Sequence, residues 1–224
     1  MAKKYYAVKE GRTRGVFEDW EACKQSVNGY SGAKYKSFPT REEAEKYVCG
    51  RKGRLIVLSG KTGSGKTTLQ NEILRKGFQK LITYTTRAPR PGEFSGIDYY
   101  FINDDLFDYL KQEYFLEWTS YTKDGKEVQF GSAKADYKKP GDFVTALDMA
   151  GLRALRQSGI PYEGYYLDVP DDELKRRLLK RNTETEAQIN ERLASEQKEF
   201  QDVTKYAAVL PMADTETLLN MIFS

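Results

Sequence analysis

The sequence predicts an α/β chain, a parallel sheet flanked by helices, preceded by a small α+β module. Three observations predict it. From Leu55 onward, short apolar runs alternate with helical stretches. A glycine-rich loop separates the first of those runs from the helix after it. A short basic, glycine-rich stretch, residues 49–54, divides this part from a leading segment of different charge. The first fifty residues hold ten Lys/Arg against seven Asp/Glu, so the whole net excess of +3 lies there.

The leading segment, residues 1–48, predicts three strands and two helices. Tyr5 to Lys9 forms a strand, Gly11 and Gly15 bracket a turn, and Val16-Phe17 continues as a second strand. Asp19 caps a helix from Trp20 to Val27, which Gly29 and Gly32 end. Lys34 to Phe38 alternates like a strand, with Lys34 and Lys36 on one face and Tyr35 on the other. Thr40 and Glu43 make a capping box that opens a helix to Val48. Residues 49–54 form the linker.

The second domain, residues 55–224, starts with Leu55-Ile-Val-Leu58, a continuous apolar run suited to a strand buried on both faces. Further strands are expected at Phe143–Leu147, Tyr162–Val169 and Ala207–Leu210. Helices are expected at 66–76, 149–157, 171–181, 184–203 and 214–222. Asp171 after Pro170, and the Thr183-x-x-Glu186 box, mark two helix starts. Between residues 85 and 137 the pattern is irregular, and the stretch is expected to be an insertion over the carboxyl edge of the sheet.

Composition excludes several classes. The chain has no histidine, and its two cysteines, Cys23 and Cys49, share no metal spacing, which argues against zinc sites and histidine-based catalysis. No apolar run approaches a membrane span, and no signal peptide is visible, so cytoplasmic residence is the simplest expectation.

Gly60-Lys61-Thr62-Gly63-Ser64-Gly65-Lys66-Thr67 fits the phosphate-loop pattern G-x-x-x-x-G-K-[ST] in the required context, after a buried strand and before a helix. Glycines let backbone N–H groups converge on phosphate oxygens, and the helix amino end adds positive dipole. Lys66 can reach the β- and γ-phosphates of ATP, and Thr67 can ligate Mg²⁺. With Thr68, these residues form the expected ATP site. An Asn-Lys-x-Asp run, which a GTPase needs, is missing. The acceptor must therefore be found elsewhere. Arg87 and Arg90, three apart on a proline-braced loop that ends at Glu93, form a clamp for a monophosphate or else a solvated basic loop.

Thr83-x-Thr-Thr-Arg-x-x-Arg-x-Gly-Glu-x-x-Gly-x-Asp-Tyr-x-Phe101 resembles the guanylate kinase signature. Phe115-Leu-Glu117-Trp118, Phe130-Gly-Ser132, Asp148-x-x-Gly151, Leu174-x-x-Arg177-Leu-x-x-Arg181 and the stretch from Thr183 to Arg192 continue it in order. The resemblance spans about residues 53–223. It implies a P-loop nucleoside monophosphate kinase fold with an acceptor-binding insertion at about 85–137 and a lid at about 175–195. It implies ATP with Mg²⁺ as donor and GMP or dGMP as acceptor. Lys66, Arg177, Arg181 and Arg192 would act on the moving phosphoryl group. Glu117 would accept from guanine N1–H and the 2-amino group, and Ser132 and Thr83 would donate to O6. Arg87, Arg90 and Tyr99 would hold the acceptor phosphate, with Glu93 in the same set. Asp148 would help position Mg²⁺ beside Thr67, or serve as a helix cap.

This sequence departs from the family at several positions. Thr83 stands where serine is usual, Phe130 where tyrosine is usual, and Ala146 where a second aspartate is frequent. The loop from Thr122 to Gln129 is longer, and Pro211-Met212-Ala213 replaces an asparagine near the adenine. The alternative reading is a non-catalytic guanylate-kinase-like interaction or nucleotide-sensing module. The intact Lys66-Thr67 pair and the arginine set argue against it.

The leading segment, from Tyr6 through Trp20 to Gly32-Ala-Lys34-Tyr35-Lys36 and Glu43-Ala44, resembles the hybrid-binding domain of ribonucleases H and of caulimovirus viroplasmins. That resemblance implies binding of RNA–DNA hybrid or double-stranded RNA. Trp20 and Tyr35 would pack on the sugar-phosphate backbone and Lys36 would meet phosphate. Ser37 replaces a second lysine.

Overall fold

The computed structural model describes residues 4–49, 53–123, 125–181 and 184–224. Residues 50–52 of the expected linker, and Thr183 of the expected capping box, lie outside them.

The leading module pairs β1 (Tyr5–Glu10) with β2 (Gly15–Phe17) and with β3 (Lys34–Phe38), all antiparallel, in the order β2-β1-β3. Alternation along β1 sends neighbours to opposite faces. Val8 packs with Cys23 and Val27 of α1 (Trp20–Val27), and Ala7 packs with Ala44 and Val48 of α2 (Arg41–Cys49). The small sheet is therefore covered by a helix on each face. Asp19 caps α1 as expected, accepting from the Ala22 N–H at 2.8 Å.

The second domain opens with β4 (Leu55–Ser59) and α3 (Lys66–Arg75). The chain then crosses to β5 (Gln79–Lys80) and enters the insertion. That insertion is ordered, contrary to its irregular sequence pattern. It holds β6 (Tyr84–Thr85), β7 (Tyr100–Phe101), α4 (Asp104–Glu113), β8 (Phe115–Lys123) and β9 (Lys126–Ala133). Its four strands form a second sheet, β7-β6-β9-β8. The stretch expected to be a long loop is the end of the β8–β9 hairpin. Pairing persists to Lys123↔Lys126, with Asp-Gly between them in sequence and Gly125 at φ +73°. Asp-Gly is the residue pair that favours a two-residue hairpin turn. α4 starts where Asn103 accepts from the Leu106 N–H at 2.9 Å.

The remaining elements are β10 (Phe143–Ala146), α5 (Met149–Ser158), β11 (Glu163–Asp168), α6 (Asp171–Arg181), α7 (Glu186–Glu199), β12 (Ala208–Pro211) and α8 (Thr215–Phe223). Helix α7 is shorter than the expected 184–203. Its cap is Thr185, boxed with Gln188. The main sheet is parallel throughout, in the order β12-β11-β4-β10-β5. Central β4 is buried on both faces. Leu55 and Val57 join Leu152, Leu155 and Phe200 on one side, and Ile56 and Leu58 join Ile73, Leu218 and Ile222 on the other. Helices α6 and α7 share a separate small core of Leu174, Leu178, Ile189 and Leu193.

Candidate active site

The donor loop sits between the end of β4 and the start of α3, where backbone curvature requires glycine. Gly60, Gly63 and Gly65 have φ of +146°, +80° and +102°. A Cβ on Gly60 would stand 3.0 Å from the Leu167 carbonyl oxygen. Ser64 Oγ is buried with no hydrogen-bond partner, an orphaned polar atom inside a phosphate cradle. The Lys66 ammonium folds back onto the loop, donating to the Gly60 and Lys61 carbonyls at 2.6 and 3.0 Å. Enclosure of that ammonium pushes its pKa down to about 8, with Arg192 and Arg181 lowering it further against the pull of Glu196.

Residues of α6 and α7 pack against this loop. Arg177 donates to the Gly63 and Ser64 carbonyls at 3.3 and 3.4 Å and is braced by Glu173 at 2.6 Å. Leu178 lies against Gly63. Buried Lys61 donates to Asp171 at 2.6 Å and to Gln197. Glu196 joins the two sides, accepting from the Thr62 N–H at 2.8 Å through one oxygen and from Arg192 Nε at 3.3 Å through the other. Its carboxylate thus occupies partners suited to a phosphate. Arg192 also donates to Glu184 at 3.1 Å. Arg181 is exposed at the end of α6.

The two arginines expected to clamp a monophosphate are both engaged by Glu93. Arg87 meets it through two hydrogen bonds, at 2.6 and 2.8 Å, and the Arg90 N–H donates to it at 2.8 Å. The Arg87 guanidinium therefore holds the Glu93 carboxyl down at about 2, opposed by burial and helped by the Arg90 backbone. Arg87 also stands over the Tyr99 ring at 5.0 Å. Both Glu93 oxygens are engaged by Arg87 and Arg90.

The residues expected to read the base come together where β8 and β9 pair Glu117 with Ser132. Glu117 is 9% exposed and Ser132 fully buried. Burial pushes the Glu117 carboxyl up to about 7, against the Ser132 hydroxyl, with Asp148 adding to the rise. Tyr137, fully buried, places its phenol beside both groups, and burial with the Glu117 charge raises its pKa well above 10. Nothing in the local sequence marked Tyr137, because only tertiary packing brings it under the hairpin. Thr83 lies on the approach to β6, its carbonyl accepting from the Tyr100 N–H at 2.9 Å.

Asp148 is the N-cap of α5, its Oδ1 accepting from the Gly151 N–H at 2.9 Å. The cap uses one oxygen and leaves Oδ2 available. Thr67 is exposed in the first turn of α3. A hydroxyl and one carboxylate oxygen suit Mg²⁺, which takes oxygen donors and keeps water and phosphate ligands. Among the described residues no cluster of three or more His, Cys, Asp or Glu forms a protein-built metal cage.

On the leading module the structure brings Trp20 and Tyr35 together and sets Lys36 apart. Tyr6, Trp20 and Tyr35 form an aromatic row, with centroids 5.5 and 5.9 Å apart, of which Trp20 and Tyr35 are exposed and Tyr6 is half-buried. Tyr35 pairs with Val8 on the α1 face, whereas Lys36 pairs with Ala7 and lies over Phe38 at 5.4 Å. Lys34 is neutralised by Glu10 at 2.7 Å. No helix among the described residues is long and apolar enough to cross a membrane.

Comparison with known proteins agrees with this geometry. The family profile of the ribonuclease H1 N-terminal domain matches residues 4–48, and that of guanylate kinase matches residues 52–222. A guanylate kinase of Onion yellows phytoplasma is 36% identical over 166 residues, covering 70% of this chain and 76% of the relative. One from Desulfitobacterium hafniense is 33% identical over 163 residues, covering 70% and 81%. The crystal structure of guanylate kinase from Anaplasma phagocytophilum superposes with a TM-score of 0.57 at 21% identity, over 77% of this chain and 83% of that one, a likeness of fold. The chain belongs to the guanylate kinase family.

Proposed function

We propose that this enzyme transfers the γ-phosphoryl group of ATP to GMP or dGMP, giving ADP and the guanosine diphosphate. The observation that carries the reading is the buried Glu117–Ser132 pair set on the same insertion as the Arg87–Arg90 clamp. A carboxylate facing guanine N1–H and the 2-amino group finds two donors, where adenine presents none. Rejection of a base that leaves buried polar groups unpaired is severe.

The chemistry is positioning and charge stabilisation. Residues Gly60 to Thr68 wrap the donor phosphates, and Lys66 leaves its loop carbonyls for the β- and γ-oxygens. Arg87, Arg90 and Tyr99 hold the acceptor phosphate in line. Arg177, Arg181 and Arg192 neutralise the moving phosphoryl group. Thr67 and Asp148 would hold Mg²⁺, which would supply charge neutralisation at the donor phosphates. ATP and GMP are cytoplasmic metabolites, and we place the enzyme there.

The leading module is proposed to bind RNA–DNA hybrid or double-stranded RNA through the Tyr6–Trp20–Tyr35 row, on which a sugar-phosphate backbone can pack. Lys36 reaches a phosphate only around the edge of β3.

The test is a coupled assay over GMP, dGMP, AMP, CMP and UMP, with and without Mg²⁺. GMP or dGMP is expected to exceed AMP by about a thousandfold or more in kcat/KM. Equal use of AMP or CMP overturns the guanine reading. Anisotropy of the full chain with labelled hybrid, double-stranded RNA and double-stranded DNA tests the module. Trp20→Ala is expected to weaken binding at every salt concentration.

A further inference from the structure

The long β8–β9 hairpin carries a residue that the family signature does not contain. Tyr121 lies near its tip, paired with Val128, on the same face as Phe130 one diagonal step away. Its ring stacks on Phe130, with centroids 5.9 Å apart and planes 13° from parallel. Phe130 in turn meets Tyr99 edge-on at 5.8 Å, and Tyr99 is the ring over which Arg87 stands at 5.0 Å. Tyr121 also meets the expected lid, with the Arg192 guanidinium 5.9 Å from its centroid. Tyr121 thus ends a continuous line from the acceptor clamp to an arginine of the lid.

Several features suit it to meet a ligand. Tyr121 is 38% exposed. Phe130 offers no hydroxyl at the same patch. Arg87 feels the Tyr121 phenol electrostatically, after the larger effects of its own burial, of Glu93 and of Tyr99, which sets the phenol close to the clamp. The phenol of a tyrosine donates one hydrogen bond, and an acceptor phosphate lodged on Arg87 presents several acceptor oxygens.

We propose that Tyr121 is a substrate-positioning residue that donates its phenolic hydrogen bond to the acceptor phosphate and seats Arg192 against the acceptor site through its ring. This rests on the proposed GMP kinase activity. The ring provides a negative π face for the guanidinium, so lid closure and acceptor binding meet on one side chain. The hydroxyl and the ring have separable roles. Loss of the hydroxyl is a loss of acceptor binding, and loss of the ring also misplaces an arginine needed at the moving phosphoryl group.

The experiment is steady-state kinetics and calorimetric GMP binding on the full chain, comparing the parent with Tyr121→Phe, Tyr121→Leu and the double variant Tyr121→Phe/Phe130→Tyr. Thermal unfolding is recorded for each. Tyr121→Phe is expected to raise KM and Kd for GMP about tenfold, with KM for ATP and the unfolding midpoint unchanged. Tyr121→Leu is expected to lower kcat about tenfold in addition. Returning a hydroxyl to the same stack in the double variant is expected to recover most of the GMP affinity. GMP binding by Tyr121→Phe that equals the parent overturns the inference, as does an equal loss of ATP and GMP binding, which marks a merely structural side chain. A parent that binds and turns over no guanine nucleotide overturns the GMP reading itself, a result visible before any variant is made.

Discussion

If Glu117 reads the base as proposed, GMP binding should depend on pH. The Glu117 carboxyl is buried on the β8–β9 hairpin, and that burial lifts its pKa from 4.5 to about 7. A carboxyl raised in this manner keeps its proton in the folded state where the unfolded chain has already lost it. Its contribution to stability is therefore fully present below 4.5 and is lost as pH rises through 7. The interval corresponds to about 3 kcal/mol. Guanine needs the opposite form, the carboxylate, to accept its two N–H groups. Free enzyme at pH 6 holds only about a tenth of Glu117 ionised, against about nine tenths at pH 8. Affinity is scaled by the competent fraction, so Kd for GMP should fall about tenfold from pH 6 to pH 8. Binding at pH 6 should release close to one proton. The GMP phosphate titrates in the same region, with its second pKa near 6, and Glu117→Gln provides the control, since it keeps that titration and removes the carboxyl. Calorimetry at both pH values, in buffers of different ionisation enthalpy, reads both quantities. If parent and Glu117→Gln show the same pH dependence and the same proton release, Glu117 does not read the base. Glu117→Gln should also erase most of the preference for GMP over AMP, chiefly by harming GMP.

Lys66→Ala removes the ammonium that now rests on the Gly60 and Lys61 carbonyls. Turnover should fall about a thousandfold with circular dichroism unchanged, and near-normal turnover would show that Lys66 is misassigned. Glu196→Gln removes the charge shared between the Thr62 N–H and Arg192. ATP binding should tighten about threefold to tenfold, because the phosphates no longer displace a carboxylate, and weaker ATP binding by displacement titration would contradict this. Phe107→Ala empties a fully buried site beneath Phe115, whose ring lies 4.9 Å away. Urea unfolding should show a loss of about 3–5 kcal/mol, and a loss below about 1 kcal/mol would mean that the insertion does not share the core's cooperativity.

Sequence alone determined whatever depends on local order and spacing. The phosphate loop, with its strand before and helix after, is a contiguous stretch, and its three glycines are needed for the positive φ values they adopt. The apolar run of β4 predicted a strand covered on both faces, because only a central parallel strand can bury every side chain. Asp19 and Asn103 illustrate the same rule at two levels of difficulty. Each caps its helix through its own side chain, but only the first stood in a pattern regular enough to be read. The strands inside the insertion are not legible, because β6 and β7 are two residues long and are held by pairing across the sheet rather than by periodicity.

Tertiary structure decided how the pieces meet. Glu117 and Ser132 are fifteen residues apart in sequence and share a pocket through strand register, and Tyr137 joins them only because packing buries its ring beneath the hairpin. Glu196 reaches the Thr62 amide across 134 residues, and Tyr121 reaches Arg192 across the gap between hairpin and lid. On the leading module, strand alternation set Lys36 on the face opposite Trp20 and Tyr35, a consequence of period two that holds however close the residues are in sequence. A motif names the groups that can act on a phosphate. Strand register, burial and chain return decide which of those groups stand within hydrogen-bond reach of one another, because long-range contacts depend on the packing of the whole fold.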